Sequence, residues 1–182
     1  MLQRRILEFS APESRIMQDW PESIREVVDR YAAGPQLLRQ AVEGLTPEQV
    51  KTPAPPGRWS ALEVVCHLAD FETIYANRIK WALAEDNPLM PTGDEDRFAA
   101  ALRYHDRDLA EELTLIELQR SQLVRILRTL RAADFERTGR HTVDGPITVL
   151  DLLQRVARHL PHHVDFLQRK RPVLIEQAAE AS

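Results

Sequence analysis

His159 and His163 stand four residues apart in the stretch Arg158-His159-Leu160-Pro161-His162-His163-Val164. On a helix this spacing puts both rings on one face, with Cβ atoms about 5–6 Å apart. From there two imidazoles can converge on one divalent cation at about 2.0–2.1 Å. The neighbouring residues give the pair its meaning. Val149, Leu152, Val156, His159, His163 and Phe166 recur at spacings of three and four, so both histidines fall on an otherwise apolar, inward stripe. His162 falls on another face, with Arg155, Arg158, Asp165 and Arg169, and should be wet. A third histidine, His67, lies on the stripe Val64, His67, Phe71, Ile74, with Leu68 and Tyr75 beside it. A buried polar ring without a partner is costly. Three neutral imidazoles around a dication, with a fourth position left for water, make the arrangement of catalytic zinc, and bundle cores are recurrent places for such sites. The competing expectation is three core histidines bonded to carbonyls or carboxylates.

Other residues carry less. Asp70, three after His67, can orient a ligand or act as a base, or be a plain rim carboxylate. Glu72 is expected to face solvent, and His105 and His141 to be solvated in or near loops. Cys66 neighbours His67 but points elsewhere, which predicts an inert core thiol. An apolar stripe is interrupted at Gln119 and Arg120, one of which must look toward the interior or its rim, and Arg120 is expected to bind a substrate carboxylate at the mouth or to snorkel to water. No Ser-His-Asp set, phosphate loop or dinucleotide fingerprint is present.

The elements that must position these side chains are helices. A first helix starts near Pro21. Its stripe of Ile24, Val28, Tyr31, Pro35, Leu38, Val42 and Leu45 keeps phase across Gly34-Pro35, predicting one helix bent there. Thr46-Pro47-Glu48-Gln49 predicts a short capped turn, and Pro53-Ala54-Pro55-Pro56-Gly57 a stiff connector. Ser60-Ala61-Leu62-Glu63 is a capping box that opens the second helix, with Trp59 placed to staple onto Val64. That helix should end by Asp86-Asn87-Pro88. A long polar connection over 86–107 follows, with a small helix near 94–103, and it permits a crossover between the second and third helices. The third helix is expected over 108–131. The loop 140–146 carries an Asp-Gly turn, with a two-residue strand pairing near 141–148. The fourth helix starts at a Thr148 cap, with Asp151 at its third position, and is kinked by Pro161. The reading is therefore an all-α four-helix bundle with a long crossover between helices 2 and 3 and kinked helices 1 and 4. An N-terminal arm (1–20), in which Ile16, Met17 and Trp20 pack on the body, precedes a bundle domain (21–171). A frayed tail (172–182) follows.

Composition narrows the class. With 182 residues, 43% hydrophobic and 29% charged, the chain is one ordinary globular domain. A net charge of −4 gives no reason to expect nucleic acid or an anionic membrane as partner. The N-terminus lacks the apolar core of a signal peptide, and no run approaches the length of a membrane span. A single cysteine excludes an intrachain disulfide and fits the cytoplasm. Trp81 and Leu83, beyond the stripe of the second helix, leave apolar surface to cover and predict a homodimer.

Gly57-Arg58-Trp59-Ser60-Ala61-Leu62-Glu63-Val64-Val65-Cys66-His67-Leu68-Ala69-Asp70 resembles the second-helix opening of the DinB/YfiT-like four-helix-bundle family. His159-xxx-His163 is similar to that family's closing motif, and Gly145-Pro146-Ile147-Thr148-Val149 to its lead-in; the likeness spans roughly residues 20–170. Pro161, inside the closing motif, is a departure. The resemblance implies a crossover bundle, often dimeric, with His67, His159 and His163 as the ligands of a divalent ion such as nickel or zinc. It also implies a metal-dependent hydrolase, or a transferase acting on a low-molecular-weight thiol, with a small-molecule substrate. The rival expectation is a non-catalytic bundle whose metal or ligand stabilises a dimer.

Overall fold

The computed structural model describes residues 19–53 and 57–180, with side chains through Pro172. Four long helices make the body: α1 (Glu22–Val42), α3 (Ala61–Ala84), α5 (Leu109–Leu127) and α6 (Val149–Glu180), with short α2 (Pro47–Lys51) and α4 (Glu95–Ala101) in the connections. The principal packings are α1 against α6 and α5, and α3 against α5 and α6. The helix pairs α1/α3 and α5/α6 therefore stand diagonally. No helix among the described residues is long and apolar enough to cross a membrane.

Local chemistry fixes the helix starts. Thr46 and Gln49 cap α2 reciprocally, as Ser60 and Glu63 do α3. Asp108 accepts from the amides of Ala110 and Glu111 at the start of α5, and Thr148 accepts from the Asp151 amide at the start of α6. Pro21 is the residue before α1 rather than its first, and α1 runs unbroken through Pro35. α5 stops at Leu127, where Thr129 and Leu130 bond back to Ile126 and Leu127 and a 3₁₀ turn follows at Ala132–Glu136. α6 continues through Pro172 to Glu180, along the stretch the sequence reading takes as a tail. A proline removes one helical bond, and the flanking turns carry the helix past it.

The long connections hold a small sheet rather than an isolated pairing. β2 (Thr138–His141) pairs antiparallel with β3 (Gly145–Thr148) in four-residue register. β1 (Leu89–Met90) joins β2 in parallel. Gly139 makes room for the Met90 side chain, since a Cβ there would overlap its terminal methyl. Of the expected arm, Ile16 and Met17 lie outside the described residues. Trp20 is buried, donates from Nε1 to the Leu130 carbonyl at 2.8 Å and meets Phe135 edge-on at 5.3 Å.

Candidate metal centre

The capping box starts α3 seven residues before His67, which faces inward beside the core residues Val64 and Leu68. On α6, the stripe through Val156 carries His159 and His163 to the same place. Ring centroids lie 4.9 Å apart for His67–His159, 4.9 Å for His67–His163 and 4.8 Å for His159–His163. Nε2 of His67 and Nε2 of His159 approach to 2.9 Å. One nitrogen from each ring lies within 4.8 Å of the others. Pro161 does not pull the α6 pair apart.

These three rings are suited to a cation. Burial is the largest cause that lowers their pKa values, to about 3 for His67 and His159 and about 4 for His163, with neighbouring histidines adding to it. All three are therefore neutral at pH 7, with lone pairs free to donate. His67 is 1% exposed, and its Nδ1 has no hydrogen-bond partner among the described residues. Without an ion, the two facing Nε2 atoms share a single proton between them, whereas a dication accepts both lone pairs. Tetrahedral ligation at about 2.05 Å puts nitrogens about 3.3 Å apart, between the 2.9 Å of the facing Nε2 pair and the 4.8 Å span of the three rings' nitrogens. Aromatic walls hold the rings: Trp59 lies 5.0 Å and Phe71 4.5 Å from His67 by centroid.

The remaining candidates fall elsewhere. Both oxygens of Asp70 accept from Arg107 Nη1 at 3.1 Å, and Arg107 also pairs with Glu112 at 2.8 Å. Neither nitrogen of His67 bonds Asp70, so this carboxylate does not orient the ring. Cys66 is fully buried, its thiol against the Tyr104 carbonyl and its pKa pushed up by burial to about 12. His162 and His105 are exposed.

Three expectations are corrected. Glu72 does not face solvent: it is 2% exposed and accepts from Arg120 Nε at 2.7 Å and from the Tyr31 hydroxyl. Burial nevertheless holds its carboxyl above the usual range, against the pull of Arg120. Arg120 is neither at a mouth nor snorkelling: of the two residues that interrupt the stripe it is the one that looks into the interior, at 2% exposed. His141 is not solvated: it sits buried at the end of β2, its Nδ1 accepting from the Asp144 amide at 3.2 Å. The Tyr31–Glu72–Arg120 network escaped the sequence reading. Its signals were an arginine breaking the α5 stripe and a Gly-Pro step inside α1.

A cleft of about 460 Å³ opens on His163. Trp59, Val64 and Phe166 line it with apolar surface, Arg58 with positive charge, and Glu95 and Asp96 with negative charge. His162 lies on its rim.

Comparison with known proteins places the chain in a family. The DinB superfamily profile matches residues 30–167. A protein of Geobacillus thermodenitrificans is 33% identical over 132 residues, 71% of this chain and 70% of its own. YfiT of Bacillus subtilis is 30% identical over 146 residues, 80% and 78% of the two chains. Both carry the name "Putative metal-dependent hydrolase". The solved structure of YfiT, described as a probable metal-dependent hydrolase with an unusual four-helix bundle topology, superposes with a TM-score of 0.75 at 28% identity. That match covers 82% of this chain and 87% of YfiT. With the profile covering most of the chain and the bundle shared with YfiT, the chain belongs to the DinB superfamily.

Proposed function

We propose that the chain is a metal-dependent enzyme acting on a small-molecule substrate, with His67, His159 and His163 holding one divalent ion, zinc or nickel. The observation that carries this reading is the convergence of three neutral imidazoles, one of which, His163, lines an open cleft. Imidazole nitrogen suits either metal. When bound there, the ion supplies Lewis acidity, polarising a coordinated oxygen and bringing the pKa of water toward about 7. The protein supplies the rest. Burial keeps the three rings unprotonated and available at neutral pH. Trp59 and Phe71 fix the His67 ring and keep bulk water from its inner side. Trp59, Val64 and Phe166 receive the apolar part of a substrate, while Arg58 together with Glu95 and Asp96 favours a substrate carrying both charge signs. A sealed structural site would have a fourth protein ligand instead, and the cleft argues for catalysis.

The relatives' names favour hydrolysis. The same ligands would also accept a thiolate, so transfer of a low-molecular-weight thiol is the second chemistry to test. Zinc- and nickel-loaded protein incubated with a panel of amides and esters should release acid and amine or alcohol, with saturation kinetics lost in His163→Ala. A thiol conjugate formed from cysteine and an electrophile, with no hydrolysis, would assign transfer. Neither product, with metal bound, would leave the non-catalytic binding reading.

We further propose that the chain pairs with a second copy through apolar surface that includes Trp81, which is 46% exposed on α3. Light scattering should give twice the 20.9 kDa chain mass, and Trp81→Ser should lower it. A monomer at tens of micromolar in the unsubstituted protein would refute this.

A further inference from the structure

Pro35 has no N–H, so the carbonyl of Tyr31, four residues earlier in α1, loses its helical donor. Arg120, from α5, replaces it: Nη1 donates to the Tyr31 carbonyl at 2.9 Å. Gly34 clears the space. A Cβ at that position would overlap Nη1 and lie 3.1 Å from Cζ. The Gly34-Pro35 step is thus a socket in α1 shaped for a guanidinium, which also lies 4.4 Å from the centroid of the Tyr31 ring. The remaining donors reach the other two helices. Nε donates to Glu72 on α3 at 2.7 Å, and Nη2 donates to the Val156 carbonyl on α6 at 3.4 Å. All four long helices meet on this one side chain.

Two of its contacts bear on the histidines. Glu72 follows His67 by five residues on α3, and Val156 precedes His159 by three on α6. His67 and His159 are the pair whose Nε2 atoms approach to 2.9 Å. We propose that Arg120 is the positioning residue of the metal centre. Anchored in the α1 socket, it ties α3 through Glu72 to α6 through Val156 and so sets the separation of His67 and His159. The inference rests on reading the histidine triad as a metal site. A stabilising role alone does not account for the arrangement, because buried ion pairs are commonly replaceable by apolar side chains without loss of stability. Lysine cannot substitute, since a point charge lacks the planar fork that serves three acceptors at once.

The test uses the full chain with Arg120→Lys and Arg120→Met, and a distant core variant, Phe135→Leu, that lowers stability away from the network. Zinc affinity is read by competition with a chromophoric chelator, and unfolding by circular dichroism. In metal-free protein, ¹⁵N NMR follows the slowly exchanging imidazole proton between His67 and His159. Arg120→Lys and Arg120→Met should bind zinc about tenfold or more weakly and lose the protected imidazole proton, while Phe135→Leu keeps both. Wild-type zinc affinity in either folded Arg120 variant would overturn the proposal, as would an equal loss in Phe135→Leu. If the unsubstituted protein binds no zinc, the metal reading fails separately. The NMR result then decides alone, and an imidazole proton retained in Arg120→Lys overturns the positioning role.

Discussion

Replacing Gly34 by alanine sets two effects of opposite sign against each other. Gly34 lies inside α1 and has no positive φ, so helix propensity alone predicts that Gly34→Ala stabilises by about 1 kcal/mol. The structure predicts the reverse. The new methyl would occupy the position of Arg120 Nη1 and lie 3.4 Å from Leu160 Cδ1, so the guanidinium has to retreat. Its retreat leaves the Tyr31 carbonyl without a donor and weakens or breaks the pair with Glu72, both in a buried setting. Breaking a buried pair from one side costs about 3–5 kcal/mol. Set against the propensity gain, the net loss is about 2–4 kcal/mol, or roughly 5–15 °C in melting temperature for a chain of this size. Urea and thermal unfolding followed by far-UV circular dichroism measure it. In an Arg120→Met background the same substitution has little left to displace, so the two changes should be strongly non-additive. A Gly34→Ala protein stabilised by about 1 kcal/mol, or additivity with Arg120→Met, would refute the socket.

Two further outcomes follow from smaller features. Ser60→Ala removes the side chain that accepts from the Glu63 amide at 3.2 Å, and should cost about 1 kcal/mol in urea unfolding; an unchanged midpoint would show that the α3 cap contributes nothing. Cys66 should react with a thiol reagent only in denaturant, because it is fully buried and its pKa is raised to about 12. Labelling of the native protein as fast as free cysteine would contradict its placement.

The histidine triad was legible because its members sit on helical stripes, where a period of three and four separates inward from outward faces. The same periodicity separates His163 from the exposed His162, and the Pro161 interruption did not shift it. Caps were legible because their partners lie three residues apart. Long-range pairings were not. Glu72 reads as a surface residue until Tyr31, 41 positions away, and Arg120, 48 away, are brought against it. Asp70 stands three residues from His67 in sequence, but its partner Arg107 lies 37 positions on, across the long connection. His141 reads as loop because its strand is four residues long, and β1, which pairs with it, lies some fifty positions earlier. A two-residue strand leaves no alternation to detect.

The central claim is that His67, His159 and His163 hold one metal ion, and elemental analysis tests it most directly. The protein is purified without a nickel column, offered zinc or nickel, and freed of excess. The account predicts equimolar metal in the unsubstituted chain and in His162→Ala, and loss of stoichiometric metal in His67→Ala, His159→Ala and His163→Ala, each checked for folding. Metal-free unsubstituted protein, or retention in His163→Ala with loss in His162→Ala, would contradict it.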